Sequence, residues 1–160
     1  MTVHRLQRTQ VVPAPVDAVA PFFEAAENLA LITPPWMRFR IVTPGPIAMR
    51  TGARIDYTLR LLGLPLSWRT VITEFEPGRR FVDEQERGPY RLWRHLHEFE
   101  PVEGGTLVRD TVDYEVPLGP LGELARRLYV ARTLEHIFDH RAATIRALDL
   151  ARLAAPGLPG

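Results

Sequence analysis

The chain has 160 residues, 46% of them hydrophobic, enough for one domain around one buried core and too few for two. Twenty basic side chains stand against nineteen acidic ones, and the basic residues are scattered rather than gathered with interleaved aromatics, so nucleic acid is not an expected partner. There is no cysteine, which excludes disulfides and thiolate metal sites.

The opening stretch MTVHRLQRTQVV carries charges where a signal peptide needs an apolar core. No run of about eighteen apolar residues occurs anywhere, so no integral membrane segment is expected, and the reading is a cytosolic (cytoplasmic) protein. A first strand is expected near residues 3–12. PAPVDAVAPFFEAAENLALITPPW follows, rich in alanine and leucine and opening on proline, which predicts two short helices, the first bent or broken near Pro21. A second strand is expected near residues 37–43.

The segment GARIDYTLRLLG alternates cleanly, with Ile55, Tyr57, Leu59 and Leu61 on one face and Arg54, Asp56, Thr58 and Arg60 on the other. LPLSWRTVITEFEP, RRFVDEQERG, YRLWRHLHEFE and TLVRDTVDYEV come next, joined by Gly- and Pro-bearing turns short enough for hairpins. With the two earlier strands this predicts a seven-stranded antiparallel sheet, a six-strand meander joined by the first strand. The turn EGGT, residues 103–106, leads into a strand rather than a helix, so it reads as a hairpin turn and not a phosphate loop.

From about Leu121 to Leu150, Leu124, Ala131, Leu134, Phe138, Ala142, Ile145 and Leu148 fall on one arc when wound at about 100° per residue. One long C-terminal helix is expected there. Residues 1–152 are read as a single domain and 153–160 as a flexible tail.

The fold class is therefore α+β, a curved antiparallel sheet wrapped around one long helix, with two short helices between the first two strands. A helix about 10 Å across cannot fill the whole concave face of such a sheet, which leaves an apolar cavity between them. The order of elements resembles the SRPBCC superfamily of START-like, helix-grip proteins, which includes the birch-pollen allergen, aromatic polyketide cyclases and lipid-transfer domains. The resemblance is carried by VPAPVDAVAPFFEAAENLALITPPW, RFVDEQERGPYRLWRHLHEF and TVDYEVPLGPLG, and is to the ligand-binding, cyclase/dehydrase-like subgroup. One scaffold there hosts carriers, enzymes and regulators, so the resemblance implies a fold more sharply than a chemistry.

Strand parity sorts the polar residues. Trp93, His95, His97 and Phe99 share a face, and the aromatic markers make it the concave one. By the same reasoning Asp110 points inward with Val108, Val112 and Tyr114, and Asp83 with Phe81 and Gln85. Arg94, Glu98, Arg109 and Asp113 are expected to be exposed on the outer face. A buried carboxylate needs a partner, and Arg141, which lies inside the apolar arc of the helix, is expected to reach Asp83 or Asp110. Arg127 has a similar angle but sits at the helix start.

Three alternatives stand for His95 and His97: they hydrogen-bond Asp83, Asp110 or water and only support the sheet, they contact ligand, or they act in catalysis. Tetrahedral zinc takes four donors and no third imidazole stands with this pair, so no metal and no cofactor is expected. His136 and His140 are spaced i, i+4, but Ile137 stands where HExxH needs its glutamate, and a solvated helix face is the reading. No serine lies in a GxSxG context. Trp36 is either a plug at the apolar end of the cavity or a gate, and the inner face of the strand holding Trp68 is ambiguous.

The expected function is binding of a small hydrophobic molecule, a lipid, polyketide, isoprenoid or aromatic compound. Its walls would be Tyr57, Leu59, Trp93, Phe99, Tyr114, Phe138 and Ile145, with Asp83, His95, His97, Asp110 and Arg141 orienting a carbonyl or hydroxyl. The resemblance leaves two alternatives: a cyclase/aromatase-like enzyme whose candidate catalytic groups are His95, His97 and Arg141, or an interaction module, favoured by a fully packed interior and an exposed apolar patch.

Overall fold

The structure, a computed structural model, describes residues 2–153. Seven strands form one antiparallel sheet: β1 (His4–Val12), β2 (Arg40–Ile41), β3 (Arg54–Leu61), β4 (Leu64–Glu76), β5 (Arg80–Arg87), β6 (Leu92–Val102) and β7 (Gly105–Glu115). Their spatial order is β1-β7-β6-β5-β4-β3-β2, a meander from β2 to β7 that β1 completes by pairing with β7. Helix α1 (Val16–Glu24) and 3₁₀ turns at Ala26–Ala30 and Pro35–Met37 fill the connection between β1 and β2. The C-terminal helix begins as α2 (Gly119–Ala125), passes through a π-type turn (Arg126–Val130) and continues as α3 (Ala131–Ala147); a short α4 (Leu150–Leu153) follows.

The helix-grip architecture agrees with the sequence reading, and the differences have local causes. The second strand is two residues rather than seven, because Met37 closes a 3₁₀ turn and Arg38 takes a left-handed φ of 45°. Helix α1 runs through Pro21 to Glu24 instead of breaking there, and it is followed by 3₁₀ structure rather than a second α-helix. The long helix ends at Ala147, where Leu148 turns to an extended ψ of 131°. The tail expected at 153–160 lies, beyond Leu153, outside the described residues.

The apolar arc of the helix is buried at Leu134, Phe138 and Ile145 but not at its start, where Leu124 is 54% exposed. The sheet holds that first part of the helix by other groups. His4 in β1 meets Glu123 at 3.0 Å, and Gly122 sits so close to the Pro117 carbonyl that a Cβ would collide with it. The EGGT turn is a hairpin, with Gly104 and Gly105 at φ 85° and 151°.

Parity holds through β6 and β7: His95, His97, Phe99, Asp110 and Tyr114 are buried, and Trp93 is partly so. The outer residues Arg94, Glu98, Arg109 and Asp113 are half-buried rather than exposed, because they pair along the outer face, Arg109 with Glu98 at 3.6 Å and Asp113 with Arg5 at 2.7 Å. The β4–β5 register shifts at Arg69/Thr70 and again at Ile72/Glu74. Those irregularities are why alternation alone could not orient β4, where Trp68, Thr70 and Ile72 are buried.

Candidate functional site: a cavity with a charged wall

Between the concave face and α1, the 3₁₀ turns and α3 lies a cavity of about 180 Å³. That is slightly more than the roughly 150 Å³ that accommodates one benzene ring in an engineered protein core. Of the residues expected to line it, Tyr57, Leu59, Asp83, Trp93, His95, His97, Phe138 and Arg141 do so.

Four expected lining residues do not. Phe99 packs against Phe23 of α1 at 5.4 Å between ring centres, and Ile145 lies in the same core cluster. Tyr114 is taken up by Val112, Leu134 and Phe138, and Asp110 lies behind the histidines, at a second, polar recess between β1 and α3. Parity gives the face of a side chain, not how far along the strand the covering helix lies. Trp36 is neither plug nor gate at this cavity: it is 50% exposed, and its neighbour Met37 enters the lining instead.

Sequence reasoning missed Phe22, Phe23, Met37, Trp68, Tyr90 and Ile137 as lining residues. Trp68 stacks on Tyr57 at 5.9 Å and meets Trp93 edge-on at 5.4 Å, so the strands end in an aromatic wall. For Trp68 a signal was present, since its parity with Ile72 reads inward once a bulge is allowed between Ile72 and Glu74.

The ionisable lining residues come together on one wall. In the ladder Asp83 stands opposite His95, and Asp110 opposite His97. The short hydrogen bonds nevertheless run on the diagonals, His95 Nε2 to Asp110 at 2.8 Å and His97 Nε2 to Asp83 at 2.6 Å. The two imidazoles lie 3.6 Å apart, His97 stacks on Phe81 at 4.1 Å, and Phe138 covers His95 edge-on. Arg141 closes the group from the helix, donating to Asp110 at 3.2 Å, with Phe23 and Phe138 rings beside its guanidinium. Of the two carboxylates expected for Arg141, its direct partner is Asp110.

The hydrogen bonds fix a tautomer. Asp110 accepts, so the His95 proton sits on Nε2, and Nδ1 carries a lone pair; Asp83, 3.7 Å from it, is too far for a hydrogen bond. Burial and the neighbouring His97 lower the pKa of His95, overcoming its carboxylate contacts and favouring the neutral ring that this geometry uses. Burial also opposes charge on His97, but hydrogen bonds to Asp110 and Asp83 outweigh it and raise that pKa. Asp110 is held well below the ordinary carboxylate range because Arg141 and both histidines overcome the cost of its burial. Asp83 is lowered for the same kind of reason, chiefly by His97 against burial.

One donor atom from each of Asp83, His95 and His97 lies within 4.8 Å of the others. On sequence, no third imidazole stood with the histidine pair. The fold supplies a carboxylate as the third donor, so that ground for expecting no metal does not hold. His136 is exposed and His140 half-buried, bonded at 3.3 Å to Thr144 on its own helix. Arg127 is exposed and pairs with Glu123 at 3.0 Å.

Residues 3–148 match the family described as polyketide cyclase / dehydrase and lipid transport. The chain belongs to that family. No curated protein sequence matches it. Among solved structures it is similar to the ZhuI aromatase/cyclase from Streptomyces sp. R1128, at 17% identity and TM-score 0.75, over 98% of this chain and 100% of that one. TTHA0849 from Thermus thermophilus is similar at 18% identity and TM-score 0.66, over 96% of this chain and all of that one. A nucleoside-diphosphate sugar epimerase from Corynebacterium glutamicum shares 26% identity at TM-score 0.61 over 89% of this chain, which spans only 28% of that protein. The family supports a ligand-binding or cyclase-like role, and no helix among the described residues is long and apolar enough to cross a membrane.

Proposed function

We propose that this member of the family binds a small, single-ring-sized hydrophobic molecule carrying one hydroxyl group. The observation that carries the reading is a mostly apolar cavity whose charged and imidazole groups, Asp83, His95, His97 and Arg141, gather on one wall. The cavity volume of about 180 Å³ favours a ring or a short isoprenoid over a two-chain lipid. The hydroxyl follows from His95, whose Nδ1 has a lone pair and no protein donor within hydrogen-bond distance among the described residues. A ligand hydroxyl donating there satisfies a buried acceptor that an apolar ligand would leave unpaired.

The test is a matched pair of ligands, 4-ethylphenol and 4-ethyltoluene, which differ by a hydroxyl against a methyl group of similar size. Calorimetric titration should give one site per chain for the phenol and an affinity at least about tenfold weaker for the hydrocarbon. Equal affinity for the two would remove the role of the wall; binding of neither would remove the reading.

A cyclase-like enzyme is the second reading, favoured by one feature: His95 backed by Asp110 at 2.8 Å has the arrangement of a general base oriented by a carboxylate. An interaction module draws support from the exposed Leu118, Leu121, Leu124 and Leu128, but the open interior speaks against it.

A further inference from the structure

We infer that Asp83, His95 and His97 form a binding site for one divalent first-row transition ion, of the zinc or ferrous class, on the floor of the cavity. The donor set is two imidazoles and one carboxylate, which suits those ions. Histidines at i and i+2 of a strand present both rings to one face, and here β5 brings Asp83 directly opposite His95. All three side chains line the cavity, so the remaining coordination positions open onto the space where a ligand binds.

What distinguishes this cluster from a chance grouping is the shell behind it. A histidine that ligates through one nitrogen needs the other held by an acceptor. Asp110 does this for His95, accepting from Nε2 at 2.8 Å; its Oδ1 also lies 3.1 Å from His97 Nδ1, which Arg141 Nη2 approaches at 3.5 Å. Asp110 borders the second recess rather than the cavity, and Arg141 fixes it at 3.2 Å. The nitrogens left over, His95 Nδ1 and His97 Nε2, are the two that lie near Asp83, at 3.7 and 2.6 Å.

In the ion-free cluster a proton shared between His97 and Asp83, 2.6 Å apart, balances two carboxylates against one guanidinium. An ion replaces that proton, moves Asp83 from hydrogen-bond acceptor to ligand, and leaves His97 Nδ1–H facing Asp110. It also adds one further positive charge to the wall, matched to an ionised ligand oxygen.

The ion takes the His95 Nδ1 lone pair that the ion-free wall offers to a ligand hydroxyl, so the two occupants exclude one another at that atom, and the test of the ion uses no organic ligand. Untagged protein stripped by a chelator is titrated with Co²⁺ and, in competition, Zn²⁺. One Co²⁺ per chain should bind, with visible ligand-field absorption that Zn²⁺ displaces, and the loaded parent protein should show hyperfine-shifted, slowly exchanging ring N–H signals from two histidines. His95→Gln and Asp83→Asn should each abolish the absorption. Asp110→Asn should weaken binding about 10- to 100-fold while keeping one ion per chain. The surface variant His136→Ala/His140→Ala should bind as the parent does. Absence of binding by the parent, binding lost in the surface variant, or shifted N–H signals that exchange rapidly with solvent would each overturn the site. The parent spectrum decides even if a cavity variant fails to fold.

Discussion

Arg141 on the helix and Asp110 on the seventh strand meet at 3.2 Å across the interior, each side chain no more than a tenth exposed. The contact ties α3 to the sheet at the point where the histidines are oriented. An arginine on the buried arc of an amphipathic helix is thus explained by its partner.

Replacing Arg141 with methionine keeps an apolar stem and leaves the buried Asp110 carboxylate with its histidine contacts but without its guanidinium. The variant should lose about 3 kcal/mol of stability in urea denaturation, and Arg141→Met/Asp110→Asn should recover part of that loss. Equal stability of parent and single variant would show that the pair holds nothing together.

A second prediction concerns the start of the long helix. Arg126, with further help from Arg127 and His4, holds the Glu123 carboxyl down from 4.5 to about 2. Because the folded value lies below the unfolded one, the stabilisation is present above pH 4.5 and is lost as pH falls towards 2. The carboxylate is partly exposed, so the effect is screened by salt. Glu123→Gln should therefore melt below the parent at neutral pH and converge with it at the acid end. A gap between parent and variant that widens in acid would contradict the assignment.

Cavity volume is tested at Met49, a half-buried lining residue in the loop between β2 and β3. Met49→Trp should take up ligand space and weaken 4-ethylphenol binding at least about tenfold, while the melting temperature changes little, since a loop position gives the larger ring room to adjust. Unchanged affinity would place the ligand elsewhere.

Much of this architecture was legible in alternation alone. Ile55 and Leu59, His95 and His97, and Asp110 face inward as period-two patterning requires. What was not legible depended on elements distant in sequence. Phe99 faces inward yet misses the cavity because Phe23 of α1 covers it, and nothing in the β6 sequence fixes where α1 rests. Asp83 becomes a third donor beside His95 only through the register of β5 on β6. Leu124 continues the apolar arc of the helix, but the sheet does not cover it. Patterning assigns faces; packing decides which residues of a face meet.

The central claim, that the charged wall and the apolar cavity serve one small hydroxylated ligand, is tested most directly by native mass spectrometry of freshly purified protein, before and after addition of 4-ethylphenol. The account predicts one small molecule per chain, either retained from the cell and identified after solvent extraction as a single-ring or short isoprenoid compound bearing a hydroxyl, or taken up as 4-ethylphenol at one equivalent. A chain that emerges bare and takes up no phenol, or one that carries a two-chain lipid, would contradict it.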